Sequence, residues 1–485
     1  MAGIGIRLRK IYKRNTIGSY LYGFLYSAVT TIAPMFVVII AIVLIQYVNG
    51  FSQANYADRE LFSDTVLYIF IFSLLTTAPF NGVLSRYLSD TIYEERYSDI
   101  MPCYYVGLLI NVVFSSFFGI AFCVHEYLFG EVPLYYVLTG YCGYMAMVLV
   151  FYSMLYLTAT KDYRKISMFY AIGMVVAFVL SRIEVIFLHW EITYSLLFSL
   201  AAGFFMIASM ETAMIHSYYR ENSGRYDAVL HYFRIYWKLI PINFLYTLGL
   251  YAHNFVFWTM PGHLVFADSF VTNLSYDMAT CFAMFTNITA TAIFMSRLEM
   301  NFHDRYKAFS ESIIGGRRRD IENNRKRMLS CLSSELVTLA RMQFIISDVV
   351  FLLCIVILPT LGFGGEIMRI YHCLAAGYYI MFMMYAEMLY LFYFNDLNGA
   401  LMTASVFCGV TFLGSLWSAR LEDIWYGMGL VLGSLAGFIV GYFRLRWVEK
   451  HLDEHIFCDG RLMERAKGVK PDTCVWRRTP KNETV

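Results

Sequence analysis

CYYVGLLINVVFSSFFGIAFCV, residues 103–124, contains no charged side chain. A helix of this length spans about 30 Å, the thickness of a bilayer's hydrocarbon core. Apolar and polar residues do not alternate along it, as they would in a barrel strand, so the run reads as a membrane helix. Reading outward from it in both directions gives twelve such runs: 20–48, 64–88, 103–124, 134–158, 166–188, 194–218, 238–260, 273–297, 343–362, 370–394, 398–418 and 425–446.

Composition agrees. Of 485 residues, 59% are apolar, 18% aromatic and only 15% charged, against about 25% charged in soluble domains. This excludes an ordinary cytosolic enzyme, a secreted disulfide scaffold and a disordered chain. The net charge of +2 gives no reason to expect nucleic acid. Seven of the ten cysteines fall in apolar runs and none forms a CxxC pair, so neither a disulfide nor a metal site is expected.

The placement of charge sets an orientation. With the N-terminus inside, 34 of the 38 Lys and Arg fall in inner segments. Arg59, Arg369 and Arg420 fall outside, and Arg182 lies within a span. Positive residues crowd the cytosolic side of membrane proteins, so the sequence predicts a multi-pass protein of the cell membrane with both termini cytosolic. One missed span would scramble this asymmetry.

Around the spans, Ile4, Leu8, Ile11 and Tyr12 share a helical face among five basic residues, which predicts an amphipathic helix on the inner leaflet. Residues 219–237 divide the spans six and six. The chain therefore divides into an N-lobe over 1–218, a cytosolic linker over 219–237, a C-lobe over 238–446 and a cytosolic tail over 447–485. Within the C-lobe, the polar insert 298–342 carries Leu298, Phe302, Tyr306, Phe309 and Ile313 at helical spacing. Gly315 and Gly316 break that helix, and a second begins near Asp320 and runs into the ninth span. Two parallel lobes related by an axis along the membrane normal fit this arrangement.

Charged residues within spans are costly and are functional hypotheses by default. Glu387 in the tenth span and Glu211 in the sixth are the leading transport-path candidates, with His253, Asn254, Arg182 and Asp348. Arg86 and Asp90, four residues apart at a helix end, can pair along one face. Pro34, and the cluster of Pro79, Asn81 and Gly82 in TTAPFNG, are hinge candidates. The runs Arg317–Arg319 and Arg325–Arg327 read as positive-inside charge touching anionic lipid, although Arg317-x-x-Asp320 also fits a four-residue pattern used to grip cyclic di-GMP. No Walker loop, HExxH or nucleophile elbow occurs, so neither an enzyme nor a cofactor is expected.

Several stretches resemble the Pel exopolysaccharide transporter family (PelG-like) of the multidrug/oligosaccharidyl-lipid/polysaccharide (MOP) exporter superfamily. They are MAGIGIRLRK at the start, SRYLSDTIY (Ser85–Tyr93), FMSRLEMNFHDRYKAFSESI (Phe294–Ile313), LYLFYFNDLNGAL (Leu389–Leu401) and HLDEHIF (His451–Phe457). The resemblance implies an all-α fold of twelve membrane helices in two six-helix lobes, MOP/MATE-like. It implies a role in moving the Pel amino-sugar polymer across the cytoplasmic membrane. The implied partners are a cytosolic glycosyltransferase, a cyclic di-GMP-binding membrane protein and a membrane scaffold. The chain departs from the family at FLYTLGLYAHNFVFW, where Tyr251, His253 and Asn254 stand in place of an acidic–basic pair. Three functions remain open: a polysaccharide transport subunit, a cation-coupled drug antiporter or lipid-linked oligosaccharide flippase, and a structural scaffold.

Overall fold

The structure is a computed structural model that describes residues 17–130, 132–160, 163–260, 262–288 and 301–452. The expected amphipathic helix over 1–15, Leu298 and most of the C-terminal tail lie outside these residues. Six helices form the first lobe: α1 (Ile17–Val48), α2 (Tyr56–Tyr93), α3 (Ile100–Phe129), α4 (Leu134–Thr160), α5 (Tyr163–Ile186) and α6 (Ile192–Tyr218). A short helix, α7 (Tyr226–Ile235), follows. The second lobe begins with α8 (Leu239–Phe257), a hairpin of β1 (Leu264–Phe266) and β2 (Phe270–Thr272), and α9 (Leu274–Asn287). It continues with α10 (His303–Gly315), α11 (Arg318–Thr360), α12 (Glu366–Tyr393), α13 (Leu397–Ser418) and α14 (Met428–Lys450).

Among the described residues, nine of these helices are long and apolar enough to cross a membrane. They are α2–α6 and α11–α14; α1, α8 and α9 are further helices packed among them. Helices are the elements that satisfy every backbone polar group within the segment, which a bilayer demands. Packing divides them into two six-helix lobes. In the first, α4 packs on α6, α6 on α5, α2 on α4 and α1 on α5; in the second, α13 packs on α14, α14 on α12, α8 on α13 and α9 on α12.

The insert folds as its spacing predicts. Phe302 and Phe309 are buried, and Phe302 meets Tyr390 and Tyr393 at 4.8 and 5.3 Å between ring centroids. This packs α10 onto the end of α12. Asp320 accepts the Arg317 N–H at 3.4 Å, capping α11, so this acidic residue has a local structural use. Two connections hold more structure than expected. The 219–237 linker contains α7, whose Tyr232 packs edge-on against Tyr87 at 4.8 Å. The loop after α8 forms the two-stranded hairpin, pairing Leu264 with Thr272 and Phe266 with Phe270. Ala267 and Asp268 turn it at φ of 50° and 59°. The strands, three residues each, are too short to carry a periodic signal in the sequence.

The helix ends bearing α7 and α10 are termed here the basic end. The opposite end, with the hairpin and Arg59, is poor in basic residues.

Candidate functional site: the seam between the lobes

The lobes meet chiefly where α2 lies along α8. Aromatic residues dominate this contact. Tyr68 stacks on Trp258 at 5.1 Å and Phe72 on Phe255 at 6.0 Å. Each pair draws one ring from each lobe. A thinner contact joins α1 to α9, where Phe36 and Phe285 lie 6.2 Å apart. Toward the basic end, a Cβ on Gly82 would fall 2.0 Å from Asn243 Nδ2, so only glycine permits this approach of α2 and α8 with Asn243 where it stands. The Asn243 amide donates to the Leu239 carbonyl at 2.7 Å. Helix α2 continues unbroken through Pro79, and α1 through Pro34; both prolines are buried. Asn81 keeps a buried Oδ1 without a hydrogen-bond partner among the described residues.

At the end poor in basic residues the hairpin straps across the seam. The Tyr68 hydroxyl donates to the Val271 carbonyl at 2.8 Å, and the Val271 N–H lies 3.0 Å from the same hydroxyl oxygen. Ser269 donates to Glu126 at the end of α3. At the basic end, Arg86 pairs with Asp90 at 3.3 Å. Tyr232 of α7 donates to Asp90 at 3.4 Å, and the Arg86 guanidinium lies 5.5 Å from the Tyr236 ring centre.

The other candidates lie apart from one another. Glu387 is 1% exposed inside the second lobe, with Oε2 unpartnered among the described residues. It faces Gly441 of α14, where an added Cβ would come within 2.7 Å of Oε2. Glu211 is fully buried inside the first lobe, beside Tyr170 of α5, with both carboxylate oxygens unpartnered among the described residues. A buried, unpaired carboxylate costs several kcal/mol; Glu387 and Glu211 each sit in the interior of one lobe rather than on the seam. His253 is buried in the second lobe, with Nδ1 2.9 Å from the Tyr276 hydroxyl. Asn254 donates to Asp277 at 2.6 Å. Arg182 donates to the Val48 carbonyl at 3.0 Å and to Asn49 at 3.2 Å, tying off the end of α1. Asp348 is exposed on the outer surface of α11.

Several polar residues were not singled out from the sequence. Asp277 accepts from Asn254 and from the Trp258 indole, at 2.9 Å. Asp396, fully buried, caps α13 through the Gly399 N–H and takes a two-pronged contact from Arg444 at 2.5 and 3.1 Å. Asn287 joins three helices, donating to the Ala375 carbonyl at 3.0 Å and accepting from Ser347 at 2.6 Å. The available signal for Asp396 was its position in FNDL just before an apolar run, a cap pattern.

Among curated proteins, none matches the chain. Solved structures match its fold. The eukaryotic MATE transporter AtDTX14 superposes with a TM-score of 0.59 at 10% identity, covering 93% of this chain and 99% of that one. An outward-facing multidrug resistance MATE family transporter of the MOP superfamily gives 0.58 at 12%, over 88% and 96%. A MOP superfamily transporter from Pyrococcus furiosus gives 0.56 at 11%, over 88% and 96%. Residues 1–457 match the PelG family, described as "Putative exopolysaccharide Exporter (EPS-E)". With that match running through both lobes, the chain belongs to the PelG family of exopolysaccharide exporters and has the two-lobed helical fold of the MOP superfamily transporters.

Proposed function

We propose that this protein is the transport subunit that moves a Pel-type amino-sugar polymer across the cytoplasmic membrane, working with a separate synthase. The observation that carries this reading is the aromatic seam, read in a chain that matches an exporter family over residues 1–457. Rings stacked face to face can part without breaking a ladder of hydrogen bonds, and sugar rings stack on the same faces. In this reading the polymer passes between an N-lobe over 1–218 and a C-lobe over 238–446. Both termini are cytosolic, as the charge asymmetry predicts.

The basic end is the proposed docking face for the glycosyltransferase, the cyclic di-GMP-binding membrane protein and the scaffold. It presents the insert and a groove between α11 and α14 lined by Glu322, Arg325, Lys326, Arg446 and Lys450. Glu387 and Glu211 remain proposed path or coupling groups that act from inside the lobes. Tilting of the lobes is proposed to draw on the Pro34 and Pro79–Gly82 segments.

A reversible lock tests the reading. Phe72→Cys with Phe255→Cys places two thiols across the seam. Oxidation in cells is expected to stop polymer export, and reduction to restore it. Export that continues with the disulfide formed would rule out passage through the seam. Normal export in a deletion strain would exclude the transport role altogether. Drug resistance on overexpression, lost in Glu387→Gln, would point to the antiporter instead.

A further inference from the structure

The end of the seam that is poor in basic residues gathers carboxylates from both lobes. Asp64, on α2, is 4% exposed. It meets the Thr272 side chain, and its Oδ2 is buried without a hydrogen-bond partner among the described residues. Asp277, on α9 of the other lobe, accepts from the Trp258 indole at 2.9 Å, and that ring stacks on Tyr68, one helical turn from Asp64 on α2. Glu60 and Glu126 add further negative charge around Asp64 and Tyr68.

Cations are scarce here. Arg59 lies over the Tyr56 ring at 5.9 Å, and His125 is 3.3 Å from Glu126. Among the described residues, neither Asp64 nor Asp277 has an ion-pair partner. Burying like charges together without a counter-charge is costly.

A second observation indicates what balances them. Asn254 is 3% exposed, and its amide nitrogen is spent on Asp277. Its Oδ1 is buried without a partner among the described residues. The unused atoms, Asp64 Oδ2 and Asn254 Oδ1, are therefore both acceptors, one from each lobe. Beside them, the Tyr68 and Trp258 rings stack across the seam, and aromatic faces attract cations.

We propose that Asp64, Asp277 and Asn254 form a site for a monovalent cation, either an alkali ion or the ammonium group of an amino sugar. The site is complete only when the two lobes meet at this end. An occupying cation neutralises carboxylates of both lobes at once and so favours the closed seam, while its departure leaves them to repel. The alkali ion stands independently of the glycan reading; only the amino-sugar arm rests on it.

The test uses the full chain in nanodiscs, with thermal unfolding followed at constant ionic strength. Sodium or potassium chloride, or a glucosamine oligosaccharide, is titrated against choline chloride and a fully N-acetylated oligosaccharide. A saturable rise in Tm with one of the first group, absent in the second, is expected from binding to the folded state. Asp64→Asn and Asp277→Asn should each raise the half-saturating concentration at least about 10-fold. Glu422→Gln, an exposed carboxyl at the same end, should leave it unchanged. If an aspartate variant fails to fold, Asn254→Ala provides the same comparison. A response to the alkali ion alone identifies that ion as the occupant, and a response to the deacetylated sugar alone identifies the ammonium group. The proposal fails if no cation shifts Tm. It fails equally if choline acts like sodium, or if the variants respond as the parent does.

Discussion

Helix α14 meets its neighbours through glycine, whereas the two lobes meet each other through aromatic rings. Gly429, Gly433, Gly437 and Gly441 fall on one face of α14 at four-residue spacing. An added Cβ at Gly429 would lie 2.4 Å from the Ser415 nitrogen, and one at Gly433 would lie 2.7 Å from the Thr411 nitrogen. The backbones of α13 and α14 are thus in direct contact, the close approach that small residues allow between membrane helices. Across the seam, the Tyr68–Trp258 and Phe72–Phe255 pairs hold the backbones a ring apart. Backbone contact leaves no play, so a lobe built on it moves as one body. Stacked rings offer a smooth surface with few obligatory bonds. The sites where this protein is rigid and where it can part are therefore set by different side chains.

The sharpest way to break this comparison is Gly433→Val. A branched side chain would drive into the α13 backbone, at a cost of about 3 kcal/mol or more. The expected result is loss of monodisperse protein by size-exclusion chromatography; a folded variant would show that the glycine face is not needed. Next is Arg444→Ala, which leaves Asp396 buried without its guanidinium. With Arg444 itself 24% exposed, the expected loss is about 2 kcal/mol, read as a lower Tm, with Arg444→Lys recovering only part because it cannot make the two-pronged contact.

Phe72→Ala should act oppositely to Gly433→Val. The lost stack is worth about 1 kcal/mol, so folding survives while lobe separation becomes easier. Spin labels on α2 and α8 should report a broader distance distribution; an unchanged distribution would deny the ring pair its role. The smallest effect is expected at Arg86. The Arg86–Asp90 pair is about a third exposed on both sides, and such pairs contribute about 0.5 kcal/mol. Arg86→Ala should shift Tm within measurement error, and a larger drop would mean that the contact with Tyr236 matters more than the ion pair.

The two glutamates read as leading candidates show how far sequence reaches. Both are buried carboxylates within helices. Their positions inside separate lobes, Glu387 against Gly441 and Glu211 beside Tyr170, depend on which way each helix is turned. A span apolar on nearly every side gives no such signal. Asp64 and Asp277 each lie near a span end, where exposure is the cheap explanation. Only the packing of α2 against α8 and the hairpin brings them together. By contrast, the 3–4 spacing of Phe302, Tyr306 and Phe309 was legible, because α10 has one apolar face and a polar remainder.

The sequence by itself determined that the chain is built of apolar, membrane-length helices and that its basic residues are unevenly distributed. The bilayer imposes these through composition alone, one helix at a time. Tertiary structure decided which faces are buried. The apolar windows of α11 and α12 are both long enough to span, yet 11% of one and 67% of the other is buried within the protein. Lipid and protein interior are nearly equal solvents for an apolar side chain, so hydrophobicity cannot distinguish a helix facing lipid from one in a lobe's core. Glycines, ring pairs and buried polar contacts make that distinction, and they act only once helices distant in sequence are side by side.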